Sequence, residues 1–426
     1  MKDFRLYRWA IFSIICILYF FVCLHRLSPT VIARDLALSF HADAVTLGII
    51  ASAYFYLYAA MQPVVGYLSD TTGPRKVMSL MFFISAAGSV IFGLAPNATM
   101  AILGRALIGA GLAGIFIPAL KLFSRWYRPN QFTSLTGVMS TVNGLGGLSA
   151  AMPLTYLVVF LGWRGSFVVI GLLSSALAVL TWIIVRDTPE DRGWPAVAVE
   201  DVTAKPDEKI SLLQRFTTVF GNLDFCLISL ASFLFWGGAV TFQGLWAVPY
   251  LMDVFGLDKV WAGWILMAWP LGFAVGGPFL GFLTDRFDLN HKKTLLWSLG
   301  LGVPAWLLMI VLHEREHLVI VVPLFFLLGM IAGGMNPLTF TIVRDLFPFR
   351  LMGTATGLMN TAGFFGSAVY MPFTGFLLKG TASIQPGSYG LEAYRMLLIV
   401  FLLSYAIAFV ATVLLVNRKV SRTSLT

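Results

Sequence analysis

The sequence predicts an all-α membrane protein: twelve transmembrane helices in two pseudo-symmetric six-helix bundles. Three observations carry this. Of 426 residues, 58% are apolar and only 12% charged, against about 25% charge in a water-facing domain. That composition suits neither a soluble surface nor a disordered chain. Twelve stretches approach the ~20 apolar residues that a helix needs to cross a bilayer. The second half of the chain also repeats motifs of the first. No alternating ten-residue segments dominate, which excludes an outer-membrane β-barrel.

The elements follow in chain order. Lys2, Arg5 and Arg8 precede an apolar stretch from Ile11 to Leu24, which runs into His25-Arg26-Leu27-Ser28-Pro29. No small-x-small cleavage site follows, so this segment is expected to stay as a first span near 9–34. The second span, near 45–69, carries Tyr54, Tyr58 and Gln62 on one helical face. Arg75 and Lys76 lead into a third near 77–95, and the fourth, near 99–121, holds Arg105 and a run of glycines. Spans five and six lie near 132–160 and 166–185, with Asn143 in the first of them. A stretch rich in Asp, Glu, Lys and Pro, 186–222, then separates a bundle over 1–185 from one over 223–426. The later spans lie near 223–251, 259–284, 293–312, 318–343, 352–378 and 393–416. Trp236, Gln243, Trp246 and Tyr250 form a stripe on span seven, Asn336 sits on span ten and Asn360 on span eleven.

The cations set the orientation. With both termini cytoplasmic, 21 of the 29 Lys and Arg fall in inner segments and 6 in outer ones, the asymmetry of the positive-inside rule. The net charge of +9 therefore orients the chain in its membrane and does not point to nucleic acid. Cys16, Cys23 and Cys226 all lie in apolar helices, where they read as packing residues and not as a disulfide framework.

The repeat is specific. Gly66-Tyr-Leu-Ser-Asp70 closes span two and Gly281-Phe-Leu-Thr-Asp285 closes span eight, 215 residues later. Residues 136–153 in span five match 356–372 in span eleven with one gap. Parallel six-plus-six repeats are the plan of many transporters. On these residues the sequence resembles a major facilitator superfamily transporter over essentially its whole length. Gly66, Asp70, Gly73, Arg75 and Lys76 are similar to the family's loop signature between spans two and three. Arg105 with Gly109 and Gly111 resembles its span-four signature. Arg186-Asp-Thr-Pro-Glu-Asp-Arg-Gly193 is similar to the bacterial organic-anion branches, including organophosphate and anion-cation symporters. The resemblance implies alternating access, with two halves rocking around a central site in a bacterial inner membrane. It also implies a gating role for Gly66, Asp70, Gly73 and Arg75 and for their second copy, Gly281, Asp285 and Arg286. Gly66 is expected to let two helices approach closely, Asp70 to pair with an arginine or a helix N-terminus, and Arg105 to be structural.

Charge at membrane depth is the sharpest signal. All 20 acidic residues lie at span ends or in loops, while Arg26 and Arg105 lie within spans. A charge inside the bilayer faces a cavity or a partner. With no carboxylate at that depth, a bound anion is the natural partner of Arg26, whose planar fork suits a carboxylate. Span seven lacks a second cation, which favours a small monocarboxylate, amino acid or short peptide. Tyr54, Tyr58, Asn143, Gln243, Trp246, Asn336 and Asn360 are expected to complete the substrate site with Arg26. His25 is the candidate for proton coupling, and Lys121 reads as a topogenic charge. The alternatives are a ligand sensor of the same fold, or an exporter of neutral or amphipathic compounds.

Two motif matches carry no chemistry. His313-Glu-Arg-Glu-His317 fits a zinc-protease pattern without a third ligand, and Gly109-Ala-Gly111-Leu-Ala-Gly114 lies inside a span. No P-loop or nucleophile elbow occurs. The expectation is a monomeric non-enzyme without cofactor or metal. Its expected partners are a small-molecule substrate, membrane lipid and a proton or counter-anion, with no nucleic acid.

Overall fold

The computed structural model describes residues 2–195, 197, 212–287, 289–347, 349–379, 383–385 and 387–415. Of the predicted central loop, residues 196 and 198–211 lie outside the described residues. The chain divides into two compact units, Met1–Ala204 and Lys205–Thr426.

The first unit is built from α1 (Lys2–Leu27), α2 (Pro29–Phe40), α3 (Ala44–Thr71), α4 (Pro74–Gly93), α5 (Ala98–Leu112), α6 (Phe116–Trp126) and α7 (Pro129–Ile184). Asp43 and Asn97 cap α3 and α5 by accepting the amides of Thr46 and Met100. At 56 residues α7 would run about 84 Å, far beyond a ~30 Å hydrocarbon core. It breaks at Gly162, whose φ of 69° suits glycine, into the fifth and sixth predicted spans.

The second unit holds α8 (Leu212–Phe220), α9 (Leu223–Thr241), a π-helical turn at Phe242–Trp246, α10 (Ala247–Phe255), α11 (Lys259–Leu266) and α12 (Ala268–Arg286). It continues through α13 (His291–Val311), α14 (Leu318–Leu346), α15 (Phe349–Lys379) and α16 (Leu391–Val413). Between the last two helices a short antiparallel pair, β1 (Ser383–Gln385) and β2 (Ser388–Tyr389), is held by Asp253. That carboxylate accepts from Ser388 Oγ at 2.8 Å, Tyr389 N–H at 3.0 Å and Tyr394 Oη at 2.8 Å.

Eleven helical stretches among the described residues are long and apolar enough to span a membrane. With α7 counted as two they make the twelve expected. Four spans are not continuous as the hydropathy suggested. The first breaks at Ser28, where Pro29 lacks an amide, and the fourth breaks over 113–115, after Gly109 and Gly111. The seventh relaxes into the π turn just before Pro249, and the eighth breaks at Met267 beside Pro270.

Helix packing preserves the repeat. A Cβ on Gly109 of α5 would strike the carbonyl of Tyr54 in α3, and one on Gly329 of α14 would strike that of Trp269 in α12. Likewise Gly146 of α7 rests on the carbonyl of Phe20 in α1, and Gly366 of α15 on that of Phe233 in α9. Small residues let transmembrane backbones touch in this way. Both glycine pairs are 220 residues apart. The expectation for Gly66 differs: a Cβ there, or on Gly281, meets nothing within 4 Å, so neither glycine marks a close helix approach.

Candidate functional site

Arg26 lies in the last turn of α1, just before the break. The groups around its guanidinium are the phenols of Tyr54, Tyr58 and Tyr19 and the thiol of Cys23. The Tyr54 and Tyr58 hydroxyls are both in hydrogen-bonding reach of it. Because they are four residues apart on α3, the two rings stack, with centroids 5.6 Å apart and planes at 14°. Arg26 Cζ stands 5.6 Å from the Tyr58 ring, and Arg105 Cζ stands 5.2 Å from the Tyr54 ring. Two guanidiniums are thus each set against one ring of a stacked tyrosine pair, and an aromatic face attracts a cation.

Arg105 is fully buried and donates from Nη1 to the carbonyl of His25 at 2.7 Å. The origin of this contact is local. In an unbroken helix that oxygen would accept the amide of residue 29, which proline lacks. Ser28 Oγ at 3.0 Å and Arg105 replace it. The imidazole of His25 turns away from Arg26 and packs between Phe21 and Phe167, at 6.4 and 6.0 Å.

Of the other expected site residues, Asn143 joins this region indirectly. Its Nδ2 donates to the carbonyl of Tyr19 at 2.8 Å, tying α7 to α1 beside the arginine. Tyr19 itself was missed; its spacing of seven from Arg26 places both on one face of α1. In the second unit Gln243 is buried in the π turn, and Asn360 is half-buried on α15. The side chain of Asn336 lies outside the described residues, as does that of Asp285. Trp246 corrects the expectation of a cavity-lining residue. It is fully buried, its Nε1 donates to Thr374 Oγ1 at 2.9 Å, and its ring meets Tyr389 edge-on. Tyr250 is similarly enclosed, with its hydroxyl on the Met309 carbonyl.

The loop signature forms a charged cluster at one end of the first unit. Asp70 pairs with Lys121 at 2.5 Å, not with an arginine, and Lys121 also reaches the Ser69 carbonyl at 2.9 Å. Lys121 is therefore more than a topogenic charge. Gly73, at φ 94°, lets the carboxylate of Asp187 come close, where a Cβ would strike it. That carboxylate accepts the Arg75 amide at 2.7 Å at the start of α4, a favourable place for negative charge. Arg75 in turn lies over the Trp182 ring and donates to its carbonyl. A few residues on, Trp194 packs among Phe4, Tyr7 and Trp126. The segment from 186 to 194 is thereby clipped to the unit that precedes it. Beside it, Tyr127 donates to the Arg8 carbonyl at 2.6 Å, and burial pushes its phenol up to about 12, so it stays a donor. Arg286, at the second copy of the signature, is exposed.

Among the described residues no group of three His, Cys, Asp or Glu is placed to hold a metal ion. His313 and His317 lie 6.5 Å apart between ring centroids, with one ring nitrogen of His313 on the Val311 carbonyl.

The sequence profile of the Major Facilitator Superfamily matches residues 11–371 and, again, 228–425. A probable hexose phosphate transport protein of Chlamydia trachomatis is 24% identical, over 89% of this chain and 86% of its own. A probable sulfoacetate transporter of Cupriavidus necator is 26% identical over 88% of both chains. The hexuronate transporter of Bacillus subtilis is 25% identical over 83% of both. Among solved structures, a bacterial homologue of the human lysosomal transporter Spinster superposes with a TM-score of 0.79 at 18% identity, covering 98% of this chain and 99% of that one. The nucleoside transporter NupG superposes at 0.74 with 13% identity, covering 95% and 98%. At these identities the structural likeness speaks for the fold alone.

Proposed function

The chain belongs to the Major Facilitator Superfamily, and from that premise we propose that it is a secondary active transporter of a small organic anion. The observation that carries this reading is Arg26, a guanidinium within a membrane span and ringed by the phenols of Tyr19, Tyr54 and Tyr58. Phenols orient a guanidinium without neutralising it. A carboxylate arriving there gains two charge-assisted hydrogen bonds in a medium of low dielectric. The relatives named for hexose phosphate, sulfoacetate and hexuronate all have anionic cargo, which supports the class.

Within it, a monocarboxylate, amino acid or short peptide suits a single accessible cation. The cation asymmetry supports an inner-membrane protein with both termini cytoplasmic. Alternating access follows the family, and the protein acts as a monomer that makes and breaks no covalent bond in its cargo. Asp70, Lys121, Arg75 and Asp187 form the charged cluster that switches during the cycle. Coupling to a proton through His25 would act on Arg105 and the α1 break, because the imidazole does not face Arg26.

The test is a thermal-shift screen of the purified protein against monocarboxylates, dicarboxylates, amino acids, dipeptides and phosphate esters, with Arg26→Gln alongside. A ligand at 100 times its Kd adds about 2.7 kcal/mol of stability. An organic anion should stabilise the parent protein and not the variant, and should accumulate in proteoliposomes. Equal stabilisation of both proteins overturns the role of Arg26; binding without accumulation or exchange overturns transport.

A further inference from the structure

Arg105 uses only part of its guanidinium. It is 0% exposed, its Nη1 serves the His25 carbonyl and Tyr54 lies against it. Its Nε and Nη2 have no hydrogen-bond partner among the described residues. The imidazole of His25, 1% exposed, lies in the field of Arg105, and both its ring nitrogens are likewise without a partner there. A guanidinium with unused N–H groups on Nε and Nη2 and an imidazole with one N–H therefore share one buried place. The rings of Phe21 and Phe167 flank it, and aromatic edges carry partial positive charge.

The internal repeat shows that the fold itself does not require a cation here. Gly109 and Gly329 occupy the same point of the repeat, each resting on a carbonyl of the facing helix. Four residues before them stand Arg105 and Phe325 respectively. Phe325 meets the Trp269 ring edge-on at 6.1 Å, whereas Arg105 stands over the Tyr54 ring with Cζ 5.2 Å from its centroid. The His25 carbonyl already has a donor in Ser28 Oγ. What the arginine adds is a buried charge and two unused donors, which are costly to keep unless an acceptor of opposite charge shares the place.

We propose that Arg105 and His25 form a second anion site, for a small inorganic monoanion of halide size, set apart from the organic-anion site at Arg26 by the stacked rings of Tyr54 and Tyr58. The complete enclosure of both side chains limits the ligand to one that binds without its water. The Arg105 Nε and Nη2 hydrogens and one imidazole N–H supply its donors, and its charge offsets the buried guanidinium. This site stands independently of the cargo assigned to Arg26.

The full-length protein in detergent is titrated with sodium chloride and sodium bromide, sodium gluconate holding the ionic strength constant, and thermal unfolding is read. Gluconate is itself an organic anion, so the series is repeated in Arg26→Gln, which removes its contribution. A third series uses Arg105→Phe, the residue the repeat accommodates at the same point. Halide should raise the melting temperature saturably in the parent and in Arg26→Gln, and the rise should vanish in Arg105→Phe. Bromide soaked into crystals of the parent should give an anomalous peak at hydrogen-bonding distance from Arg105 Nε or Nη2. The proposal fails if the parent shows no halide-specific shift, or if the shift survives Arg105→Phe. It also fails if the shift disappears in Arg26→Gln, which would place the halide at the organic-anion site. Should Arg105→Phe not fold, the bromide peak decides: its absence from Arg105 overturns the assignment. Failure of any organic anion to stabilise the parent, or equal stabilisation of the parent and Arg26→Gln, would count against the Arg26 reading and, with the halide shift intact, leave this one standing.

Discussion

Arg105 reaches from α5 to give its Nη1 to the backbone carbonyl of His25, at 2.7 Å. The oxygen needs a donor because Pro29 withdrew the helical one, and Ser28 Oγ shares the task from 3.0 Å. A break in the first span, a buried arginine and a serine thus form one local solution to a missing amide.

That solution is testable at its simplest member. Ser28→Ala leaves the carbonyl with Arg105 alone and should cost about 1 kcal/mol, the net worth of one hydrogen bond. Adding Pro29→Ala returns the amide and should recover most of the loss. Denaturant unfolding of the single and double variants checks both.

Backbone contact between helices predicts a sharper contrast. Gly109→Ala and Gly329→Ala each drive a methyl group into a facing carbonyl and should cost more than about 3 kcal/mol, in the range of severe overpacking. Gly137→Ala meets nothing within 4 Å and should be neutral or stabilising by up to ~1 kcal/mol, from helix propensity. Yield of folded protein and thermal unfolding separate the two classes.

Asp187 acts as a cap supplied from outside its own helix. Asp187→Ala should destabilise the first unit by about 1 to 2 kcal/mol, as loss of a capping side chain does, and Asp187→Asn, which keeps the acceptor, by less. Limited proteolysis should then cut the chain near 186–194 in the alanine variant before it does so in the parent.

The Asp70–Lys121 pair should contribute to motion more than to stability. The Asp70 side chain is 74% exposed, so Lys121→Met should change stability by less than about 1 kcal/mol, and salt should screen even that. Proteoliposome exchange rates should change by a larger factor than the unfolding equilibrium does. Equal changes in the two would remove the cluster from the transport cycle.

The spans were legible in the sequence because lipid imposes a length and a composition that any window reveals. The Arg26 surroundings were partly legible: Tyr54 and Tyr58 share a helical face with a spacing that can be counted. Trp246 was misread because its burial depends on Thr374, 128 residues away on α15, and no local pattern encodes that. The partner of Lys121 was not legible for the same reason, being on α3. The π turn at Phe242–Trp246 has a local hint in Pro249, yet proline alone does not say whether a helix will break, as at Ser28, or widen.

The doubled glycines bear on how the chain came to be. When one half-chain is copied, side chains that face other side chains are free to drift, because neighbours can repack around them. Where main chain lies directly on main chain, only a hydrogen fits, and the copy stays locked. Gly109 with Gly329, and Gly146 with Gly366, are the fossil of that doubling. Arg26 has Ala239 at its matching position and Arg105 has Phe325. Those differences mark where the two halves part: one carries the charge, and the other carries the same scaffold without it.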